Sequence, residues 1–469
     1  MRAATFRTAV ASAAGVCLGA LFAACGPGGE FNCRNDAQCS RRRDAGTCEP
    51  SGVCSFPDAS CPSGRRYANH SGELSEHCVP IYGEDPMWVG TGEETAGQAE
   101  GEGTSTGAPL PADTSTDSGP LGECVWWDNA WGMRTRVAPT VSTGESLADF
   151  VVLVQLHPDR FDYSRARIDG ADLRFVDADD QLLPHEIERW DPTGTSLIWV
   201  RLSELSGFDD EFWMYYDNPE AAVAFEPSEV WPEPYAMIGH MHPPLHDACG
   251  LNTLADHESD AAQGPLGEAR GFAQDDDYVS AGSEAAIDDL FATGGTASAW
   301  ILADDWGGSD WGRVFDKSDG VNVDRGWAFM VTGSFGGTLE FRKDLGPTVV
   351  WRGPDAALSL GQWHFVAVTF DDGNVEADPQ LYLDGLPIAL NRENTPNENA
   401  IESDAANDLW IGNRVSLSDR QFEGIIDEVR LTRSVRSPAW IEMQHRSMTD
   451  TLLEYDAPQP RPDECEQAG

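Results

Sequence analysis

The chain has 469 residues and a formal net charge of −48, from 79 acidic residues against 31 Lys and Arg. So negative a protein repels phosphate backbones and anionic lipid, which argues against binding to nucleic acid or to charged membrane surfaces. No run of about 18 apolar residues follows the N-terminal segment, so we expect no membrane-spanning helix in the mature chain. At about 150 residues per domain, the length predicts roughly three domains.

The N-terminus has the features of an export signal. Arg2 and Arg7 precede a small, apolar run that ends at Ala24, and Cys25 follows directly. Small residues ahead of a cysteine resemble the lipobox of bacterial lipoproteins, in which the thiol is lipidated and becomes the new N-terminus. The sequence therefore predicts a signal peptide over 1–24 and a lipid anchor on Cys25 in the bacterial cell envelope, at the outer membrane or cell surface. The alternative is ordinary signal-peptide cleavage with Cys25 in a disulfide.

The next segment is rich in cysteine. It contains Cys33, Cys39, Cys48, Cys54, Cys61 and Cys78. Six cysteines in 46 residues of an exported chain predict three disulfides, with 15 pairings open. Zinc binding is the alternative, but the spacing contains no C-x₂-C pair. We expect Cys124 to pair with Cys465, which leaves Cys249 as a buried free thiol. Residues 83–122 are rich in Gly, Ser, Thr, Pro and acidic residues with little apolar content, a composition that predicts a disordered tether.

Residues 123–228 alternate short β-rich runs with turn residues, as in an antiparallel sandwich. Residues 147–156 are apolar on both faces in their middle, which predicts a strand covered on both sides. The phrases Asp169-Gly-Ala-Asp-Leu-Arg-Phe, Leu183-Pro-His-Glu-Ile-Glu and Met214-Tyr-Tyr-Asp-Asn resemble a bacterial domain of unknown function. That domain commonly precedes a laminin-G-like module in surface proteins, and the resemblance implies no assigned activity.

Residues 229–457 form a second series of strands. Gly361-Gln-Trp-His-Phe-Val-Ala-Val, Leu381-Tyr-Leu-Asp-Gly and Phe422-Glu-Gly-Ile-Ile-Asp-Glu-Val-Arg-Leu stand in the order of a concanavalin A-like, laminin-G-like jelly roll, which this part resembles. Ser437 and Pro438 predict the start of a short helix near the end. The predicted fold class is all-β, with two antiparallel β-sandwiches following a disulfide-rich module and a disordered linker.

The sequence thus predicts six segments. They are a signal peptide (1–24), a Cys-rich module (25–82), a linker (83–122), a domain of unknown function (123–228), a jelly roll (229–457) and a tail (458–469).

No catalytic residues are predicted. A glycoside hydrolase needs two carboxylates beside the sugar bond, and endoglucanases with the related fold carry Glu-x-Asp-x-x-Glu on one strand. This chain has no such run, nor a Gly-x-Ser-x-Gly elbow or a His-Glu-x-x-His motif. We therefore expect a protein that is not an enzyme, with a glycan hydrolase using an unrecognised acid pair as an alternative.

Two clusters of polar side chains each have a ligand-binding and a structural interpretation. His240, His242 and His246 with Asp247 have the side chains of a zinc site, but Pro243 and Pro244 interrupt the strand, which favours structural histidines. Asp427 and Glu428 lie with Arg430 beside a terminal strand, a grouping that usually fixes strand ends; a ligand role is the alternative.

Calcium is a candidate cofactor, because acidic loops offer the hard oxygen ligands that it prefers. The proposed ligands are Asp304, Asp310, Asp316 and Asp319. The loop 304–312 also mixes tryptophan with aspartate, as carbohydrate sites do. Its candidate ligand-binding residues are Asp304, Asp305, Trp306, Asp310 and Trp311. The alternatives are solvated acids and tryptophans that cap the sandwich core.

The leading functional hypothesis is non-catalytic recognition or adhesion at the cell surface. The expected partner is a glycan or a glycosylated surface protein, with calcium as a candidate aid and the lipid anchor as the only membrane contact. A structural or protein-interaction lipoprotein is the alternative.

Overall fold

The computed structural model describes the chain in separate stretches. They are residues 47–48, 54–57, 61, 65–67, 78–79, 126–141, 144–207, 210–320, 325–374, 377–396, 401–415 and 419–466. The predicted signal peptide, Cys25 and the predicted linker lie outside the described residues. Residues 1–117 and 118–469 form two units, each described here by itself. No helix within the described stretches is long and apolar enough to cross a bilayer.

The first unit contains a small antiparallel sheet of three strands in sequence order. These are β1 (Thr47–Cys48), β2 (Cys54–Pro57) and β3 (Arg65–Tyr67). Cys61 and Cys78 form a disulfide with Cα atoms 5.4 Å apart. Cys54 is also disulfide-bonded. Of the predicted disulfide positions in this unit, Cys33, Cys39 and the side chain of Cys48 lie outside the described residues.

The second unit begins with a sandwich of two antiparallel sheets. Its strands are β4 (Met133–Pro139), β5 (Leu147–Leu156), β6 (Arg174–Val176), β7 (Leu182–Leu183), β8 (His185–Arg189), β9 (Ser196–Leu205) and β10 (Phe212–Tyr216). One sheet has the order β4-β10-β6-β7, and the other has the order β5-β9-β8. In β4, Thr135 and Val137 are buried while Arg134 and Arg136 are half-buried, the two-residue period of a strand with one face on the core.

A second, larger sandwich follows. Its first strands are β11 (Tyr235–Gly239), β12 (Ala255–His257), β13 (Asp260–Gly264), β14 (Gly267–Phe272), β15 (Tyr278–Gly282), β16 (Gly295–Ala303), β17 (Arg313–Ser318) and β18 (Gly326–Thr332). It continues with β19 (Thr338–Asp344), β20 (Thr348–Arg352), β21 (Trp363–Phe370), β22 (Gln380–Leu383), β23 (Leu386–Ile388), β24 (Asn391–Glu393), β25 (Leu409–Ile411) and β26 (Gly424–Thr432).

These strands form two antiparallel sheets of eight strands each. One has the order β13-β14-β26-β16-β21-β22-β23 with β11 paired to β26, and the other has the order β12-β15-β25-β17-β18-β19-β20-β24. Their facing sides enclose an aromatic core that includes Trp327, Phe341 and Trp351, all fully buried. The architecture confirms the predicted all-β fold class with a concanavalin A-like jelly roll.

The helix α1 (Pro438–Met448) packs between the two sandwiches. Ser437 caps its start by accepting the N–H of Trp440, which confirms the predicted helix start. The Trp440 ring lies 4.8 Å from Phe150 of β5, and the His445 ring lies 5.5 Å from Trp300 of β16. The helix α1 covers the outer side of β5, so the middle of this strand is buried on both faces, as its apolar sequence predicts.

The end of the chain returns to the first sandwich. The last elements are β27 (Leu453–Tyr455), β28 (Gln459–Pro460) and α2 (Asp463–Glu466). Both strands pair with β4, so residues expected in the second domain and in a tail instead complete the first sheet. This pairing covers the exposed edge of β4. Cys465 is disulfide-bonded, while its predicted partner Cys124 lies outside the described residues. Cys249 is buried and free.

Candidate functional site

A buried group of ionisable side chains lies where the two sandwiches meet. Strand β8 of the first sandwich contributes Glu186 and Glu188 at alternate positions. His240 directly follows β11, and β26 contributes Glu428 and Arg430. Each of the five side chains is at most 6% exposed to solvent. We call these five residues the His240 cluster.

His240 is at the centre of this cluster. Its Nδ1 lies 2.7 Å from Glu428 Oε1 and 3.5 Å from Glu188 Oε2. Its Nε2 lies 3.6 Å from Glu186 Oε2, beyond hydrogen-bond distance. The second oxygen of Glu428 accepts a hydrogen bond of 2.6 Å from Arg430 Nη2. The imidazole therefore faces a carboxylate on each side.

Two buried tryptophans fix the glutamates of β8. The Trp199 Nε1–H donates to Glu188 Oε2, and the Trp231 Nε1–H donates to Glu186 Oε2, each at 2.7 Å. The Arg430 guanidinium lies 4.3 Å from the centre of the Trp199 ring, where a cation is attracted by the ring electrons. The cluster is thus held by strands of both sandwiches.

Burial and mutual attraction separate the protonation behaviour of these groups. Burial lowers the pKa of His240, but the carboxylates of Glu428 and Glu188 raise it well above its ordinary value. Burial would raise the pKa of Glu428, but His240 and Arg430 lower it to about 2. Burial raises the pKa of Glu188 to about 8, against the attraction of His240. Glu428 is therefore ionised at neutral pH, whereas Glu188 is largely protonated.

Asp427, next to Glu428 in β26, has a different function. Burial and the neighbouring Glu428 raise its pKa well above the ordinary range. Its Oδ1 accepts the backbone N–H of Glu428, and its Oδ2 accepts that of Leu266. The sequence predicts that Asp427 and Glu428 form a structural grouping beside a terminal strand. Both lie inside β26, which pairs with β11, β14 and β16. Asp427 thus joins the turn before β14 to this central strand.

A cavity of about 520 Å³ opens beside the His240 cluster. Its wall includes Trp190, Phe225, His185, His242, His246 and Glu186. The Nε1 of Trp190 is buried and has no hydrogen-bond partner among the described residues. A smaller cavity of about 210 Å³ also borders Glu188 and His242. We call the larger space the junction cavity; its size is typical of small-molecule sites.

The histidines singled out in the sequence are only partly brought together. The His242 ring lies 6.2 Å from His240 and 5.6 Å from His246. Asp247 is separate, because its carboxylate accepts backbone N–H groups that fix the turn after β11. Those groups belong to Ile238, Cys249, Leu251 and Asn252. The grouping of the three histidines with Asp247 therefore does not form a metal site here.

A different set has the geometry of metal ligands. Among the residues that the structure describes, Glu188, His240 and Glu428 form the one group of at least three His, Cys, Asp or Glu whose ligand atoms lie within 4.8 Å of one another. Sequence reasoning considered His240 but missed Glu188. The available signal was a Glu-x-Glu pair inside a strand of a sandwich, where buried charges need partners.

The tryptophans of the loop 304–312 pack against the jelly roll. A Cβ atom on Gly337 would overlap the Trp306 ring, so that ring packs directly on glycine backbone. Trp311 packs on Ala328 and Met330, with the Arg342 guanidinium 4.4 Å from its ring centre. Asp304, Asp305 and Asp310 of the same loop are exposed. Both half-buried rings thus have separate packing partners.

The four predicted calcium ligands do not form a group of ligand atoms close enough to hold one ion. Asp316 is fully buried and its Oδ2 lies 2.9 Å from Arg313 Nε, so its charge already has a partner. Asp304, Asp310 and Asp319 are exposed. Within the described stretches, none of the four belongs to a group of ligand atoms close enough to share one ion.

Comparison with known proteins identifies two domains. Residues 169–232 match the family model for a domain of unknown function (DUF2341). Residues 273–442 match the model for the concanavalin A-like lectin/glucanases superfamily. No curated protein matches the chain.

Solved structures resemble the chain only distantly. The binding domain of Paraclostridial Mosquitocidal Protein 1 is 13% identical with a TM-score of 0.36, covering 45% of this chain and 52% of that one. The binding domain of botulinum neurotoxin DC in complex with rat synaptotagmin II is 13% identical with a TM-score of 0.36, covering 46% and 52%. The chain thus spans about half of each, and likeness this low carries no argument about activity. From the family models, residues 169–232 form a DUF2341 domain and residues 273–442 a domain of the concanavalin A-like lectin/glucanases superfamily.

Proposed function

We propose that this protein is a non-catalytic recognition protein of the bacterial cell surface that binds carbohydrate or a glycosylated partner in the junction cavity. The observation that carries the proposal is the composition of this cavity: the aromatic rings of Trp190 and Phe225 lie among carboxylates and imidazoles. Aromatic rings stack on the apolar faces of sugars, while carboxylates accept hydrogen bonds from hydroxyl groups.

The acidic residues in the wall of the junction cavity limit the charge of the sugars that it would bind. Asp169, Glu186 and Glu226 line the cavity, and no Lys or Arg is among the described residues of its lining. Acidic sugars would face like charges there, which costs free energy in a partly dry site. The proposed ligands are therefore neutral or amino sugars rather than sialic or uronic acids.

The test is a glycan array with purified protein, run with and without calcium. Trp190→Ala removes the proposed stacking ring and is expected to reduce retention of a neutral or amino sugar at least tenfold. His246→Ala, an exposed change at the cavity wall, provides a milder variant and should also weaken retention. Trp311→Ala is the matched control, because it removes a tryptophan of the loop 304–312 and should leave binding unchanged.

Other outcomes would contradict the proposal. Equal retention by the wild type and Trp190→Ala, with the fold intact by circular dichroism, would exclude the junction cavity. Loss of binding in Trp311→Ala alone would instead place the glycan on the loop 304–312. Binding that needs calcium would support the calcium-assisted form of the hypothesis.

A second candidate, glycan hydrolysis, is favoured by one observation. Glu186 and Glu188 both line the cavity, and their environments move their pKa values in opposite directions. Burial raises the pKa of Glu188 to about 8. Burial would also raise the pKa of Glu186, but His240, the hydrogen bond from Trp231 and His246 together lower it. Such a difference is the usual basis of an acid and base pair. Release of reducing sugar that disappears in Glu188→Gln would establish this activity.

A further inference from the structure

We propose that Glu188, His240 and Glu428 bind one divalent transition-metal ion, with Zn²⁺ as the probe. The site lies between the two sandwiches and is separate from every calcium ligand that the sequence suggests. One imidazole nitrogen with two carboxylates is a donor set that suits zinc, and also Mn²⁺, better than the all-oxygen set preferred by calcium.

The distances fit a small ion on the Nδ1 side of His240. Ligand atoms about 2.0–2.2 Å from a tetrahedral zinc ion lie roughly 3.3–3.5 Å from one another. His240 Nδ1 lies 3.5 Å from Glu188 Oε2 and 2.7 Å from Glu428 Oε1. The first distance already matches, and the second needs to widen by less than about 1 Å when the hydrogen bond is replaced by the ion.

The residues around the three proposed ligands are of the kinds that orient metal ligands in other proteins. A ligating histidine usually directs its other ring nitrogen at a carboxylate, and Nε2 of His240 faces Glu186 at 3.6 Å. This Nε2 is buried and has no hydrogen-bond partner among the described residues. Glu428 is held through its other oxygen by Arg430, and Glu188 is held by Trp199. Each of the three ligands thus has its own positioning residue.

A dication would be balanced by the side chains of the His240 cluster. Metal binding requires deprotonated ligands, so Glu188, which is largely protonated without an ion, would release its proton and His240 would be neutral. The three carboxylates and Arg430 then carry two net negative charges, which the dication brings to zero. Both cavities border Glu188, which gives an ion a route to the cluster.

The experiment measures metal content and affinity directly, without any sugar. The purified full chain is stripped with chelator, dialysed, titrated with Zn²⁺, Mn²⁺ or Ca²⁺, and followed by elemental analysis and thermal unfolding. The wild type should retain about one equivalent of Zn²⁺ and unfold at a higher temperature with it. Glu188→Gln preserves the acceptor for Trp199 and should abolish stoichiometric retention.

Two further variants separate a metal site from a purely structural ion pair. Glu186→Gln changes only the residue behind the imidazole and should weaken Zn²⁺ binding by about 10- to 100-fold. His257→Ala changes an exposed histidine of β12, which is outside the His240 cluster and the lining of the junction cavity, and should keep full affinity. The proposal is overturned if the wild type retains no stoichiometric metal and shows no metal-dependent unfolding shift. It is equally overturned if Glu188→Gln binds Zn²⁺ as the wild type does.

Discussion

The packing of His185 in the wall of the junction cavity determines the pH at which its imidazole takes up a proton. Its ring packs against Phe175 and Phe225, with ring centres 5.1 and 5.5 Å away. Burial lowers the pKa of His185 from 6.5 to about 4. The folded chain therefore holds a neutral imidazole in this wall at every pH above about 4, whereas the unfolded chain takes up a proton near pH 6.5.

This difference predicts a pH-dependent contribution to stability. Because the pKa is lower in the folded state, the contribution is complete above pH 6.5 and is lost as the pH falls toward 4. Between pH 7 and pH 5 the wild type should lose about 2 kcal/mol more unfolding free energy than His185→Gln. Urea unfolding of both proteins at the two pH values measures this loss.

A matched control is His157→Gln, the same substitution at a half-buried position of the first sandwich. Parallel pH profiles for the wild type and His185→Gln would show that His185 is not held neutral by burial.

The strands at the C-terminus determine how the first sandwich is closed. β27 and β28 pair with β4, and Thr140 donates its backbone N–H to Leu452 O at 2.7 Å. Leu452 is fully buried and Leu453 is 8% exposed. Burial of two leucines contributes about 3–6 kcal/mol to stability.

Truncation after Thr451 should therefore lower the unfolding free energy by at least about 3 kcal/mol. It should also raise binding of a dye for apolar surface, because β4 becomes an uncovered edge. Cys465→Ser in the full chain is the control, since truncation also removes this disulfide-bonded residue. If the truncated chain unfolds like the wild type, the C-terminal strands do not stabilise the first sandwich.

At this scale local sequence patterns predict strands well and their pairing poorly. The apolar run of β5 predicts a strand covered on both sides, and Ser437-Pro438 predicts the start of α1; both are confirmed. β28 consists of two residues, one of which is a proline, so no periodicity in the sequence distinguishes it from an unstructured tail. Similarly, His240 and Glu428 are 188 residues apart, and only the register of β11 on β26 brings them together.

The whole molecule combines a strongly acidic exterior with a proposed lipid anchor. Acidic proteins remain soluble and are repelled by anionic membranes, so stable attachment to the envelope would require covalent lipid. Cys25, the proposed lipidation site, lies outside the described residues. The proposed location at the outer membrane or cell surface therefore depends on this thiol.

Cys25→Ser should move the protein from the detergent phase to the aqueous phase in detergent partitioning of cell extracts. Each buried CH₂ of an acyl chain contributes about 0.8 kcal/mol to anchoring, so the shift should be nearly complete. Cys249→Ser, which changes the buried free thiol, is the control and should stay in the detergent phase. Unchanged partitioning of Cys25→Ser would disprove the anchor.

The shared packing around α1 has a consequence for how such proteins evolve. Trp300, Phe365 and Tyr382 of the jelly roll belong to the same hydrophobic cluster as the core of the first sandwich. The jelly roll expressed alone would leave this apolar patch open to water. Recombination would therefore transfer the two sandwiches together more readily than either sandwich alone.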